Sequence, residues 1–320
     1  MKIDRNEFFK IQAKFENIPF TQTEEWLLSE YSDKLNDIVY FVDSLDDPQI
    51  CCWGVPIEKP IIGKYLLLHG ETIHEDISIK RITSFYREII DQNFSTVEVS
   101  SINYYSAKFE IGIRRAGFIR PLGLSLSPLT LIVNLKEPFN FHRNWSRNVR
   151  KSIKESVRFQ YIENPTNNEI HSFIELFNQL KDRKSLRFKL SEKGISKLLE
   201  KQRYKMFFVY DKDDYPLAAR IIYVMNKRSY DVYAANSNEA LQCGATYFIQ
   251  QKILEFLRDM EIEEFDYGRI PPGTDTRDSI YVSKSYSGGE PISYNGQWHY
   301  SKKKSIDFLY SFAKYLIRGD

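Results

Sequence analysis

Cysteine is scarce in this chain of 320 residues: Cys51, Cys52 and Cys243 are all it has. Three thiols cannot build a disulfide framework, and the adjacent Cys51-Cys52 pair is badly placed for a bridge, so a reduced, cytoplasmic setting is expected. Net charge is nearly absent too. The 45 Lys and Arg against 43 Asp and Glu leave a formal +2, which argues against a bulk polycation or an acidic tail. No apolar run approaches the roughly 20 residues of a membrane span, and the densest stretch, Tyr65–Leu68, is only strand-sized. The opening MKIDRNEFFK has no continuous apolar segment, so a secretory leader is not expected. The five histidines are scattered, with no HExxH and no CxxC, and no metal site is expected. There is no GxSxG elbow and no Walker loop, which argues against serine hydrolysis and nucleotide hydrolysis. Aromatics, by contrast, are plentiful: 22 Phe, 21 Tyr and 4 Trp make 15% of the chain, enough for a large core or for platforms under flat ligands.

No low-complexity linker or sequence repeat divides the chain, but an order of elements recurs. The first half has strand-like runs at Asp37–Val42, Gln49–Val55 and Ile61–His69. A helical period follows (Ile79, Ile82, Phe85, Ile89, Ile90), then a β-rich run at Thr96–Val99. A second helix is expected over Tyr105–Ala116 before Gly117, and a further strand over Leu129–Leu135. The second half repeats the order. Helices are expected near Asn167–Leu180 and Ser191–Lys201, then a meander of Lys205–Tyr210, Ala218–Met225 and Tyr230–Ala235. Ala245, Phe248, Ile249, Ile253, Phe256 and Leu257 follow at helical spacing, and Glu264–Tyr267 is a short strand closed by Gly268. Two helices, three strands, a helix and a strand is the order of the GNAT acyltransferase fold. The class expected is α/β with mixed sheets, as two tandem GNAT-like domains. The break falls near Lys136–Asn140, giving domains 1–138 and 139–301. A last helix, Ser305–Ile317, needs an apolar surface to lie on.

Three stretches could carry chemistry. A GNAT enzyme holds the pyrophosphate of coenzyme A on a glycine-rich turn at a helix N-terminus. The run Asn238–Ala245 offers only Gly244 and Ala245 there, so either that loop has drifted or coenzyme A is not the donor. Arg143, Arg147, Arg150, Lys154 and Arg158 recur every three or four residues. If helical they share one face, opposite Trp145, Val149, Ile153 and Val157. That face is either solvated or a track for phosphates. A second basic cluster, Lys181, Arg183, Lys184, Arg187 and Lys189, is expected in a loop. Lastly, Phe265–Ile270 runs into a polar loop, then Tyr281–Gly289 and Tyr294–Tyr300. This reads as a loop and hairpin in which Lys284, ahead of Gly288-Gly289, can point into a backbone opening.

The last segment resembles the Fem family of aminoacyltransferases, which build peptidoglycan interpeptide bridges. Its Asp266-Tyr267-Gly268 strand end, Lys284 segment with Gly288-Gly289, and Gly296-Gln297-Trp298-His299-Tyr300 are similar to that family's marks. So, in order, are Ile18–Trp26, Ala116-Gly117-Phe118, Thr130–Leu135 and Arg147–Lys154. Ser283 and Ser287 stand where the family has phenylalanine, and Arg269 where it has a second glycine. The resemblance implies two GNAT-like domains with a C-terminal helix (about 302–320) returning to the first. It also implies transfer of an aminoacyl group from tRNA to an amine, without metal, cofactor or covalent intermediate. Lys284 matches the lysine credited there with stabilising the oxyanion.

Aminolysis of an ester also requires the amine to lose a proton, which Asp266 could accept directly or through water. Arg220 and Tyr233, on expected central strands, could bind phosphate or a sugar–peptide acceptor, with Tyr267 and Arg269 beside them; Arg147, Arg150 and Lys154 would hold a charged tRNA. The leading reading is therefore a cytoplasmic N-acyltransferase acting on a cell-wall or cell-envelope precursor. Two rivals are a GNAT enzyme using an acyl-CoA or acyl carrier protein donor, and a non-catalytic binding protein of the same shape. Saturation binding with coenzyme A separates the first rival.

Overall fold

In a computed structural model of the chain, the residues described are 1–59, 63–121, 126–186, 188–270 and 279–303, with Phe308 and Phe312. They divide into two units. The first comprises Met1–Leu27, Tyr31–Leu129 and Ile292–Asp320; the second comprises Leu28–Glu30 and Thr130–Pro291.

The first unit contains β1 (Lys2–Ile3), α1 (Arg5–Gln12), α2 (Glu24–Tyr31, of which Leu28–Glu30 group with the second unit), β2 (Val39–Val42), β3 (Ile50–Lys59), β4 (Gly63–Leu68), β5 (Thr72–Ile73), α3 (Ile79–Asp91), β6 (Thr96–Tyr104) and α4 (Ala107–Arg115). Asp4, Thr23, Ser78 and Ser106 start the four helices, each side chain accepting a first-turn amide. Along α3, Ile82, Phe85, Tyr86, Ile89 and Ile90 form one buried stripe. That stripe is needed because a helix this short gains most of its stability from packing.

The second unit contains β7 (Leu129–Asn134), α5 (Arg143–Lys154), β8 (Arg158–Ile162), α6 (Asn167–Lys184), α7 (Glu192–Leu199), β9 (Tyr204–Tyr210), β10 (Pro216–Met225), β11 (Arg228–Asn236), α8 (Asn238–Cys243), α9 (Ala245–Asp259), β12 (Glu264–Asp266) and α10 (Ser279–Ser285). Finally β13 (Glu290–Ser301) pairs antiparallel with β6. Strand order is β1-β2-β3-β4-β6-β13 in the first unit, with β5 on β3, and β7-β12-β11-β10-β9-β8 in the second. Among the described residues each unit has one parallel junction, β4 with β6 and β11 with β12, and a helix bridges each, as a parallel crossover requires. The fold is thus mixed α/β with the recurring order seen in the sequence. The second core gathers Val133, Trp145, Phe207, Ile222, Ile249 and Phe265, among others.

Several expectations need correcting. The basic helix stops at Lys154, because Ser156 turns left-handed (φ 56°) and lets Val157 bond back to Ser152. Arg158 therefore opens strand β8 and pairs with Asp214 at 2.6 Å. Ile153, expected on the buried side, is 59% exposed. Lys181, Arg183 and Lys184 are the last turn of α6 rather than a loop. The Lys284 segment is the helix α10, not a hairpin. The expected helix Ser305–Ile317 lies outside the described residues apart from Phe308 and Phe312, which stack at 6.2 Å.

Candidate functional site

In the second unit β11 and β12 run parallel for only three residue pairs, the last being Tyr230 with Asp266. β11 continues to Asn236 while β12 stops, so the parallel pairing of the two strands ends after Tyr230. On its other side β11 carries a bulge. Its pairing with β10 jumps from Asp231 to Tyr233, leaving Val232 unmatched. Bulges of this kind bend a strand and re-aim side chains, and they collect beside active sites.

At the end of β12 the chain turns sharply. Gly268 takes φ +71°, and a Cβ there would lie 3.2 Å from the Asp231 carbonyl oxygen, so a glycine suits the position twice over. Buried Asp266 holds this turn. Its Oδ1 accepts the Gly268 amide at 2.8 Å and the Thr130 hydroxyl at 2.5 Å. The turn aims the Tyr267 carbonyl at α10, where it accepts a hydrogen bond from Lys284 Nζ at 2.9 Å.

α10 is anchored at both faces of its exit. Ser287 Oγ donates to the Lys284 carbonyl at 2.6 Å, and Tyr286 stacks on His142 at 4.3 Å. His142 in turn caps α5, its Nδ1 accepting the Asn144 amide at 3.2 Å. Gly288 supplies a left-handed bend (φ 84°), and Gly289 packs so closely that a Cβ would sit 3.3 Å from Leu131 Cβ. These contacts fix the backbone beneath Lys284.

The electrostatics follow from burial. Desolvation pulls the Lys284 ammonium below the ordinary lysine range, opposed by the Asp231 charge, reinforced by Arg220 and opposed again by Asp266. The same ammonium lies 5.1 Å from the centre of the Tyr267 ring. Arg220 Nη1 and Asp231 Oδ2 make an ion pair at 2.5 Å, with side chains only 13% and 4% exposed. Asp231 Oδ1 is buried and has no hydrogen-bond partner among the described residues. Of lysine's three N–H donors, only one is used among the described residues. A desolvated cation with spare donors at a sheet opening can stabilise negative charge developing on a bound carbonyl oxygen.

Lys284, Tyr267, Arg220 and Asp266 thus gather around this opening. Tyr233 does not offer a free hydroxyl: it donates to Glu30 Oε1 at 3.1 Å, and Glu30 belongs with the same unit. Arg269 is half-buried beside Ile270. Arg147, Arg150 and Lys154 are exposed on α5, with Arg143 and Lys151 nearby in sequence, while Trp145, Val149 and Ser152 face inward. Asp231 is the member the sequence reading missed. Its one signal is an acid inside the strand Tyr230–Ala235, which is otherwise apolar or aromatic.

The expected phosphate loop is absent in its glycine-rich form. Asn238–Cys243 is the helical turn α8, capped by Ser237. Gly244 follows at φ +77°, and a Cβ on it would lie 2.5 Å from the Asn148 carbonyl oxygen of α5. Ser152 Oγ donates to the Cys243 carbonyl at 2.8 Å, fastening the two helices. Gly244 is thus packed against the α5 backbone at the start of α9. The cysteines are not nucleophile candidates: Cys51 and Cys52 are fully buried and burial pushes both thiols up, as it does Cys243. Among the described residues no group of His, Cys, Asp or Glu is arranged to hold a metal, and no helix is long and apolar enough to cross a membrane.

Residues 140–281 match the acetyltransferase (GNAT) domain family. No curated protein matches the sequence. Among solved structures the chain is similar to FemX, at 12% identity over 97% of this chain and 99% of that one, with a TM-score of 0.72. It is also similar to L-PGS from Bacillus licheniformis, at 13% identity over 98% and 96%, TM-score 0.67. A tandem GNAT protein from the clavulanic acid biosynthesis pathway is similar at 7% identity over 92% and 93%, TM-score 0.52. At such identities the likeness is one of fold. Within the second unit, residues 140–281 match the GNAT domain model, and the fold along the chain is like that of FemX and of the tandem GNAT protein.

Proposed function

We propose that this Fem-like GNAT protein is an N-acyltransferase that moves an aminoacyl group from charged tRNA to an amine of a cell-wall or cell-envelope precursor in the cytoplasm. The observation that carries the reading is Lys284: a desolvated ammonium, anchored by one hydrogen bond, standing where β11 and β12 part. As the amine adds to the ester carbonyl, charge collects on the carbonyl oxygen. A positioned donor in a water-poor site stabilises it by about 3–4 kcal/mol. Lys284 supplies that donor. Asp266 acts as a positioning residue, since its Oδ1 holds the turn that aims the Tyr267 carbonyl at Lys284.

Two features support tRNA over coenzyme A as the donor. The run Asn238–Ala245 lacks the two-glycine turn that cradles a pyrophosphate, and its one glycine, Gly244, packs against the Asn148 carbonyl. The exposed Arg147–Arg150–Lys154 face of α5 carries no ion pair to an acid among the described residues and suits a polyphosphate backbone. Arg220 and Arg269 are assigned to the acceptor, and the tethered Tyr233 to support of β11. The resemblance of the Lys284 segment to the Fem family favours a peptidoglycan precursor as acceptor.

The test supplies labelled aminoacyl-tRNA and, separately, acetyl-CoA, each with a lysine-containing peptidoglycan precursor. Amide product from the tRNA ester alone is the expected result. Product from acetyl-CoA alone would replace the donor assignment with the thioester.

A further inference from the structure

We propose that Asp231 is a catalytic residue that receives the acceptor amine, orienting its N–H and taking its proton as the amide bond forms. The proposal rests on the acyl-transfer reading above and names the group that reading leaves open. One oxygen of the carboxylate, Oδ2, is committed to Arg220 at 2.5 Å. The other, Oδ1, is buried with no donor among the described residues, although the side chain is only 4% exposed. A buried carboxylate oxygen left unmatched is costly and rare in a folded protein, and a ligand donor is the simplest account of it. Its place agrees: Asp231 is the first residue of β11 beyond the last pair with β12, at the bulge, and its charge is felt by Lys284.

Beside Asp231 stand two cations, Arg220 and Lys284, and a second carboxylate, Asp266. The amine reacts in its neutral form, which keeps the lone pair. The lone pair is then free to attack while an N–H donates to Oδ1. In the reaction the nitrogen adds to the ester carbonyl and the C–N bond forms. The nitrogen's proton passes to Asp231 Oδ1. As the C–O bond to the donor breaks, that proton passes to the departing oxygen and the carboxylate is restored. Asp266 is engaged differently: its Oδ1 accepts from Thr130 and Gly268 and holds the turn at the end of β12.

The test uses trifluoroethylamine, whose electron-poor nitrogen is unprotonated near neutral pH, as the probe for the full-length protein. Fluorine NMR should show saturable binding, and the carboxyl carbon resonance of Asp231 should shift with it. Asp231→Asn, which removes the charge and keeps the shape, should weaken binding about tenfold or more, and the N,N-dimethyl analogue, which has no N–H, should not bind. An unmoved Asp231 resonance, equal binding in a folded Asp231→Asn protein, or preference for trifluoroethanol over the amine would overturn the proposal. Should Asp231→Asn fail to fold, the wild-type carboxyl shift decides alone. Amine binding without aminoacyl transfer from any donor would remove the acyltransferase reading and keep this subsite; transfer at full rate in Asp231→Asn would do the reverse.

Discussion

Glu71 in the first unit shows what one buried carboxyl does to the protein. It has no exposed surface, and its oxygens accept from Tyr86 at 3.0 Å, Ser101 at 2.7 Å and Asn103 at 2.8 Å. Burial outweighs those three donors and pushes its pKa from the ordinary 4.5 up to about 7. The neutral acid is therefore the form the fold prefers. Stability from this source is complete below about pH 4.5 and is lost as the pH rises through 7, with a full cost of about 3 kcal/mol. Glu71→Gln keeps the shape and cannot ionise. In urea titrations its stability relative to wild type should rise from about pH 5 to about pH 8 by up to that amount. His69, held near pKa 4 by burial, titrates in both proteins and cancels in the comparison. A difference that stays flat with pH would contradict this account of Glu71.

At the scale of elements, α5 joins two features of the site. Its inward side presses the Asn148 carbonyl on Gly244, and its outward side carries Arg147, Arg150 and Lys154. Reversing Arg147 and Arg150 to Glu leaves Trp145, Val149 and Ser152 in the core, so the fold should stand. Affinity for charged tRNA should fall and its dependence on salt should flatten, because fewer counterions are released on binding. An unchanged affinity and slope between about 50 and 200 mM salt would leave this face as a solvated one. The helix itself was readable from its three- and four-residue spacing, but its end was not. Ser156 takes a left-handed turn that sequence normally signals with glycine, so the basic period in the sequence runs on to Arg158. α10 was unreadable for a different reason. Its Ile280, Val282 and serines suggest strand or loop, and the contacts that hold its end, His142 on Tyr286 and Ser287 on the Lys284 carbonyl, come partly from residues distant in sequence.

Over the whole molecule, the same order of elements is used twice to different ends. In the first unit the parallel junction of β4 and β6 is followed by Gly70 and by Glu71, whose carboxyl is matched by donors from α3 and β6. In the second unit the junction of β11 and β12 is followed by an unmatched carboxylate oxygen on Asp231 and a lysine with spare donors. The repeated order was legible because apolar periods of two and 3.6 residues survive in both halves. Lys284 was singled out by its resemblance to a family segment, whereas Asp231 was not, since one acid in a strand is silent until its partners are known. The central claim is that Lys284 stabilises the transition state of N-acyl transfer. It is tested most directly by single-turnover transfer from aminoacyl-tRNA to the precursor amine, comparing wild type with Lys284→Met, which removes the charge and keeps most of the stem's packing. The rate should fall about 100- to 1000-fold with donor affinity little changed, as for an interaction made only in the transition state. A folded Lys284→Met protein that transfers at the wild-type rate would contradict it.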